Sequence, residues 1–214
     1  DSLAHDLRTP LARLRTKLET AAASLDDGKM SPALIDDALA EADYMQSVFT
    51  ALIDIARAEA GIAHDQFEPV DLSAIIRGAV DLYQPVAEER GQTLLVDADA
   101  PAMTNGHAQF LARAASNLID NAVKFSPPGS TVRARAYYEG ERAVLEVCDR
   151  GPGIADADWA DATRRFGRLE KARSTPGAGL GLGLVATVAK MHGAELRHSD
   201  NAPGLCISIV FPKR

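Results

Sequence analysis

The sequence predicts a two-part chain: an N-terminal helical hairpin that doubles into a four-helix bundle, followed by an α/β sandwich with a mixed sheet and helices on one face. Three observations predict this. Apolar residues recur at helical spacing in two early runs separated by a turn, strand-like and helix-like runs alternate from Phe67 onward, and polar or glycine-rich stretches divide the runs. The predicted boundaries are residues 1–60 for the hairpin, 61–66 for a hinge and 67–214 for the second domain.

In the first helix Leu3, Leu7, Leu11, Leu14, Leu18 and Leu25 are spaced by three, four or seven and form one buried stripe. Pro10 has no N–H for the carbonyl of Asp6, so a bend is expected just after His5, turning His5 outward. The stretch from Asp26 to Pro32 supplies a glycine, an N-cap serine and a proline at a first helical position, marking a turn and a new start. The second helix carries Ala38, Met45, Val48, Leu52 and Ile55 on its apolar side, and Gly61 stands where a C′ residue ends it. Such a hairpin cannot enclose a core alone. Self-association into a homodimer solves this, and packing on the rest of the chain is the alternative.

The second domain follows as a short extended stretch from Phe67, a helix from Leu72 to Glu89, a strand over Thr93–Val96 and a helix over Ala108–Lys124. A β-rich run over Thr131–Cys148, a helix over Leu180–His192 and strands over Ala194–His198 and Leu205–Phe211 complete it. Composition bounds the function. The chain has 214 residues, 46% hydrophobic and 25% charged, enough for a soluble protein with a real core and two domains. A formal charge of −7 and a pI near 5.2 argue against a nucleic-acid partner, which needs a basic face. No apolar run approaches the roughly 20 residues that cross a bilayer. Cys148 and Cys206 lie in strand-like runs without CxxC spacing and are expected to be small, unpaired core residues in a reducing cytosol.

Four stretches carry chemistry. His5-Asp6-Leu7-Arg8-Thr9-Pro10-Leu11 places an imidazole beside a carboxylate on a helix. An unperturbed imidazole titrates near about 6.5, so much of it is a neutral nucleophile at cellular pH. Alone, the pair also fits a surface histidine beside an ordinary helix acid. Asn117, Asn121 and Lys124, at i, i+4 and i+7, share one helix face; amide oxygens suit Mg²⁺, and a lysine adds a point charge for phosphate. A solvated polar face explains the same pattern. Asp149-Arg150-Gly151-Pro152-Gly153 sets an acceptor carboxylate at a strand end, with glycines that admit a planar ring, although a plain turn favours the same residues. Gly177, Gly179, Gly181 and Gly183 precede or open a helix, where backbone N–H groups can meet phosphate oxygens. Gly181, Gly183 and Ala186 formally fit a dinucleotide fingerprint, but the run before them is polar and ends in Pro176 rather than forming a strand. No P-loop pattern occurs.

The string HDLRTPL resembles the phosphoacceptor box of two-component sensor histidine kinases, and the other clusters, in order, resemble the N, G1 and G2 boxes of the ATP-binding domain shared by histidine kinases, gyrase, heat-shock chaperones and mismatch-repair ATPases. Arg165-Phe166-Gly167-Arg168 looks like the F box, and Met191-His192-Gly193 resembles the family's H-G-G. With the phosphoacceptor box the resemblance covers nearly the whole chain. It implies ATP and Mg²⁺ as cofactors, His5 as phosphoacceptor, Asp6 as the acid that orients or deprotonates it, and Thr9 as a residue for dephosphorylating the partner. It implies further that Asn121 ligates Mg²⁺ with Asn117 nearby, that Lys124 touches phosphate, and that Asp149 accepts from the adenine amine beside Gly151 and Gly153. Gly177, Gly179 and Gly181 would line the phosphates, with Leu180 among the cofactor-binding residues, and the segment between Phe166 and Gly177, which includes Arg168, would be the lid over ATP. The chain departs from the family at Ala4, Ala178, Gly183 and the Asn105-Gly106-His107 stretch, which lacks the usual aspartate. The implied partners are a response regulator receiver domain and a second copy of the chain, and the implied setting is the cytoplasmic part of a membrane-anchored receptor. Two competitors are a stand-alone ATPase and a non-catalytic phosphorelay scaffold. The ATPases carry glutamate where Asn117 stands, and an amide cannot take a proton from water.

Overall fold

The computed structural model describes residues 66–164 and 181–213, together with residues 11, 12, 14–22, 34–36, 38, 39, 41, 42, 45, 46, 49, 50, 53 and 56. The chain divides into two compact units, one running through Ile53 and one comprising most of the remainder. In the first unit all described residues are helical. Ala38, Glu41 and Met45 share a buried face at helical spacing, and Lys17 Nζ reaches Glu41 Oε2 at 3.2 Å. Leu11 and Leu18, expected in a buried stripe, are instead 49% and 53% exposed. Leu14 is half-buried, and Leu3, Leu7 and Leu25 lie outside the described residues; two helices alone offer too little partner surface to cover a full apolar stripe.

The second unit opens with β1 (Glu68–Asp71), whose last residue caps α1 (Leu72–Glu89): the Asp71 carboxylate accepts from Ser73 N–H at 2.9 Å. β2 (Thr93–Asp97) and β3 (Met103–Gly106) follow, and then α2 (Ala108–Phe125). β4 (Thr131–Glu139), β5 (Arg142–Cys148), α3 (Asp156–Ala162), α4 (Gly181–Met191), β6 (Glu195–Asp200) and β7 (Leu205–Val210) complete the unit. The main sheet has the order β2-β4-β5-β7-β6; β2 runs parallel to β4 and the other neighbours are antiparallel. β1 and β3 form a separate antiparallel pair. Helices α1 and α2 cover β4 and its neighbours, while α4 packs on α2 and β6. This is the predicted mixed sheet with helices on one face. The sequence reading omitted β3 as a strand and α3 as a helix.

Alternation sets the two faces of the sheet. Val132, Ala134, Leu145, Val147, Ile207 and Ile209 point into the core, whereas Arg135, Glu146, Ser208 and Arg197 stand on the other face in cross-strand register. The cysteines correct an expectation. Cys148 and Cys206 are register partners on β5 and β7 and form a disulfide, half-buried on the open face rather than free in the core. No helix among the described residues is long and apolar enough to cross a membrane.

Helix α2 starts without a side-chain cap. Its N-cap residue His107 instead donates its backbone N–H to Nε2 of His192 at 3.0 Å. His192 Nδ1 lies 2.8 Å from the Val188 carbonyl, which can only accept, so Nδ1 carries the proton and Nε2 is the acceptor. His192 is buried and thereby ties the start of α2 to the end of α4. Replacing it with phenylalanine, which keeps an apolar ring but offers no acceptor, is expected to orphan the His107 N–H and destabilise the domain by about 1–3 kcal/mol. Urea denaturation of His192→Phe checks this, the predicted result being a lower midpoint with an unchanged slope.

Candidate nucleotide site

Asp149 ends β5 at a point where backbone pairing passes over to side chains. Its N–H still donates to the Leu205 carbonyl at 2.8 Å, continuing the ladder with β7. The return bond does not go to the backbone: Leu205 N–H donates to the Asp149 carboxylate Oδ1 at 3.1 Å. Gly151 N–H donates to the same oxygen at 2.8 Å. Asn201 Nδ2 takes the freed Asp149 carbonyl at 2.6 Å. Oδ2 therefore remains an unshared acceptor among the described residues, on a carboxyl group whose orientation is already fixed. Burial pushes the Asp149 carboxyl above its ordinary range, and the N–H groups of Gly151 and Leu205 pull against that shift without reversing it.

The close packing here needs glycine. A Cβ on Gly204 would lie 2.0 Å from the Asp149 carbonyl oxygen, and its φ of +123° is itself closed to ordinary side chains. Gly151 presses on the end of α2, where a Cβ would come within 2.8 Å of the Phe125 carbonyl. Arg150 N–H also reaches Ser126 Oγ at 3.2 Å, just past that helix. The loop after β5 is thus anchored to the C-terminus of α2.

The polar face of α2 meets a third element. Leu111, Ala114, Ala115, Leu118, Ile119 and Ala122 fill the core side, which leaves Asn117, Asn121 and Lys124 half-buried on the other. Asn117 Nδ2 donates to the Arg113 carbonyl at 2.9 Å, so its Oδ1 points away from its own helix backbone. Gly181, the first residue of α4, sits against both amides: a Cβ there would lie 2.9 Å from Asn117 Oδ1 and 3.4 Å from Asn121 Nδ2. These amides supply hard oxygen donors of the kind Mg²⁺ takes, and they lie beside a helix N-terminus able to offer N–H groups to phosphate.

The structure therefore brings Asn117 and Asn121 against Gly181 and places Asp149 and Gly151 at the C-terminal end of the same helix, on which Lys124 also lies. Gly153 follows in the same loop, with φ of +71° and a carbonyl neighbour, Gly204 O, 3.2 Å from where its Cβ would be. His5, Asp6, Thr9, Phe166, Arg168, Gly177, Gly179 and Leu180 lie outside the described residues. Gly181 and Gly183 are inside α4, not in a turn after a strand as a dinucleotide fingerprint requires. Sequence reasoning missed Asn201, Gly204 and Leu205, which hold Asp149. The only signal was the turn-like Asn201-Ala202-Pro203-Gly204, and nothing in it names its long-range partner.

Comparison with known proteins shows the family. Residues 106–214 match the family described as "Histidine kinase-, DNA gyrase B-, and HSP90-like ATPase", and residues 1–61 match "His Kinase A (phospho-acceptor) domain". A signal transduction histidine-protein kinase/phosphatase MprB from Mycobacterium ulcerans is 36% identical over 208 residues, covering 94% of this chain and 40% of the relative. MprB of Mycobacterium tuberculosis is likewise 36% identical, over 98% of this chain and 43% of the relative. The chain therefore spans well under half the length of these curated relatives. Among solved structures, a mycobacterial sensor histidine kinase MprB aligns with a TM-score of 0.59 at 36% identity over 69% of this chain and 98% of that one. The Acinetobacter baumannii histidine kinase AdeS aligns at 0.71 over 98% of both chains, and at 20% identity it supports the fold alone. The chain belongs to the histidine kinase family, with a phospho-acceptor region followed by an ATPase domain of the histidine kinase, gyrase and HSP90 type.

Proposed function

We propose that this chain is the catalytic core of a sensor histidine kinase: it transfers the γ-phosphoryl group of ATP to His5 and then passes it to an aspartate on a response regulator receiver domain. The observation that carries this reading is the meeting of Asn117 and Asn121 with Gly181 on one face of α2, next to a loop that presents a fixed acceptor at Asp149. Asp149 Oδ2 accepts from the adenine amine. Gly151 and Gly153 allow the ring to lie close to the backbone, and Lys124 faces the phosphates. Asn121, with Asn117 nearby, would hold Mg²⁺, which when bound neutralises charge on the transferring phosphoryl group.

In the transfer, a neutral ring nitrogen of His5 forms the new N–P bond as the bond from the γ-phosphorus to the bridging oxygen of ADP breaks. Asp6 orients the ring and takes up its proton. Asn117 favours transfer over hydrolysis because an amide cannot act as general base for water. Phe166, Arg168, Gly177, Gly179 and Leu180 are proposed as the lid and phosphate-lining residues. A second copy of the chain is proposed to cover the exposed apolar face of the first unit, where Leu18, Leu39 and Ile53 are each more than half exposed.

Three measurements test this reading. His5→Ala is expected to abolish acid-labile labelling from γ-labelled ATP while ADP affinity is retained; persistent acid-labile phosphate would contradict the assignment. Asp149→Asn should weaken ADP binding by roughly ten-fold or more, the cost of losing a charged hydrogen bond. The ionised carboxyl accepts from the amine, whereas the protonated one presents a donor to a donor. Because its pKa is raised, wild-type affinity should start to fall on acidification above the ordinary aspartate range, and this limb should vanish in Asp149→Asn. Calorimetry across pH reads both effects. Thr9→Ala is expected to slow dephosphorylation of the phosphorylated regulator more than autophosphorylation, because a hydroxyl one helical turn from His5 can hold the attacking water. Equal losses in the two rates would make Thr9 a structural residue.

A further inference from the structure

Cys148 directly precedes Asp149, and Cys206 directly follows Leu205. Their disulfide therefore lies one residue behind the link that aims the carboxylate, namely Asp149 N–H to the Leu205 carbonyl and Leu205 N–H to Asp149 Oδ1. Cys148 pairs in register with Arg133 on one side and Cys206 with Ser199 on the other, so both sulfurs belong to the open, polar face of the sheet rather than the helix-covered core. Both cysteines are half-buried, within reach of solvent. The register between β5 and β7 runs from Val144 and Val210 to this pair, and one further backbone bond, Asp149 N–H to the Leu205 carbonyl, continues it. Beyond it Leu205 N–H bonds a side chain, and the chain turns away through Asn201 and Gly204.

We propose that Cys148 and Cys206 form a reversible thiol–disulfide site for low-molecular-weight thiols, and that its oxidation state sets how firmly the Asp149 carboxylate is held for adenine. The proposal rests on the reading of Asp149 as the adenine acceptor. In the reductive direction a thiolate attacks one sulfur, the Cys148–Cys206 bond breaks and a mixed disulfide forms. A second thiolate then attacks the sulfur of the first, displacing the protein cysteine as a thiolate and releasing the disulfide of the two small thiols. Two electrons pass to the protein and two protons settle on its cysteines. The oxidised form keeps the strands covalently in register at the open end of the ladder, so Leu205 and Gly151 hold Oδ1 with less to order on binding. The reduced form leaves that end to hydrogen bonds alone: one between backbones, and those made by the Asp149 and Asn201 side chains.

The test uses the full chain equilibrated with oxidised glutathione or with excess dithiothreitol, with thiols counted by alkylation and mass spectrometry. ADP affinity is measured calorimetrically in each state. Wild type is expected to change from no free thiols to two, with ADP bound several-fold more weakly when reduced. A Cys148→Ser/Cys206→Ser double variant should match the reduced form in both media. A disulfide that the thiol cannot open overturns the proposal, as does unchanged affinity across a completed change in thiol count. Asp149→Asn measured in parallel separates the two readings: if it leaves ADP affinity untouched in both states, the adenine assignment fails and the coupling fails with it, whereas a weakened Asp149→Asn beside a redox-insensitive wild type removes the redox proposal alone.

Discussion

The two faces of α2 are the constraint on which the site depends. Leu111, Ala115 and Ile119 are fully buried against the sheet and its partner helices, and such burial is worth roughly 1.5–3 kcal/mol for each large side chain. Turning the helix by one residue would expose that stripe and drive Asn117 and Asn121 into the core, where an unpaired amide costs on the order of 2 kcal/mol or more. The hydrophobic core thus dictates where the amides point. The start of α4 and the loop after β5 both meet this helix, so the three segments proposed to carry nucleotide chemistry are gathered by packing.

The acceptor at Asp149 is built differently, from backbone geometry at a sheet end. A half-buried carboxylate is costly, and that cost is offset by two N–H groups converging on one oxygen. The ion pairs across the open face, such as Arg197 with Glu139 and Glu195, are exposed and contribute little by comparison. Precision at the site comes from the register of β5 with β7, supported by the glycine that lets the β6–β7 turn touch the Asp149 carbonyl. This also explains why Asn201 and Gly204, 52 and more residues away in sequence, belong to the site.

Helices α1 and α2 were legible because their apolar period runs over 18 residues each, and the bounds expected from the sequence differ from those observed by at most one residue. Of the N and G1 stretches, the shared helix face of Asn117 and Asn121 and the strand-end position of Asp149 were legible from spacing, although a solvated face and a plain turn fit the same residues; Gly177 and Gly179 of the G2 stretch lie outside the described residues. β3 was not legible, since Met103-Thr104-Asn105-Gly106 is short and ends in turn formers while its strand character comes from pairing with β1. Nor was α3, whose Asp156-Ala157-Asp158-Trp159-Ala160-Asp161-Ala162 has no apolar stripe. The disulfide was hidden for a related reason: two cysteines 58 residues apart become neighbours only once β5 and β7 are in register, and no local pattern encodes that register.

The most direct measurement is a crystal structure of the chain with ADP and Mg²⁺. The account predicts that the adenine amine lies within hydrogen-bond distance of Asp149 Oδ2 while Oδ1 keeps both N–H groups, and that the Asn121 side-chain oxygen ligates the metal. Adenine bound away from Asp149, or an Asp149 that gives up the Leu205 N–H to reach it, would contradict the account.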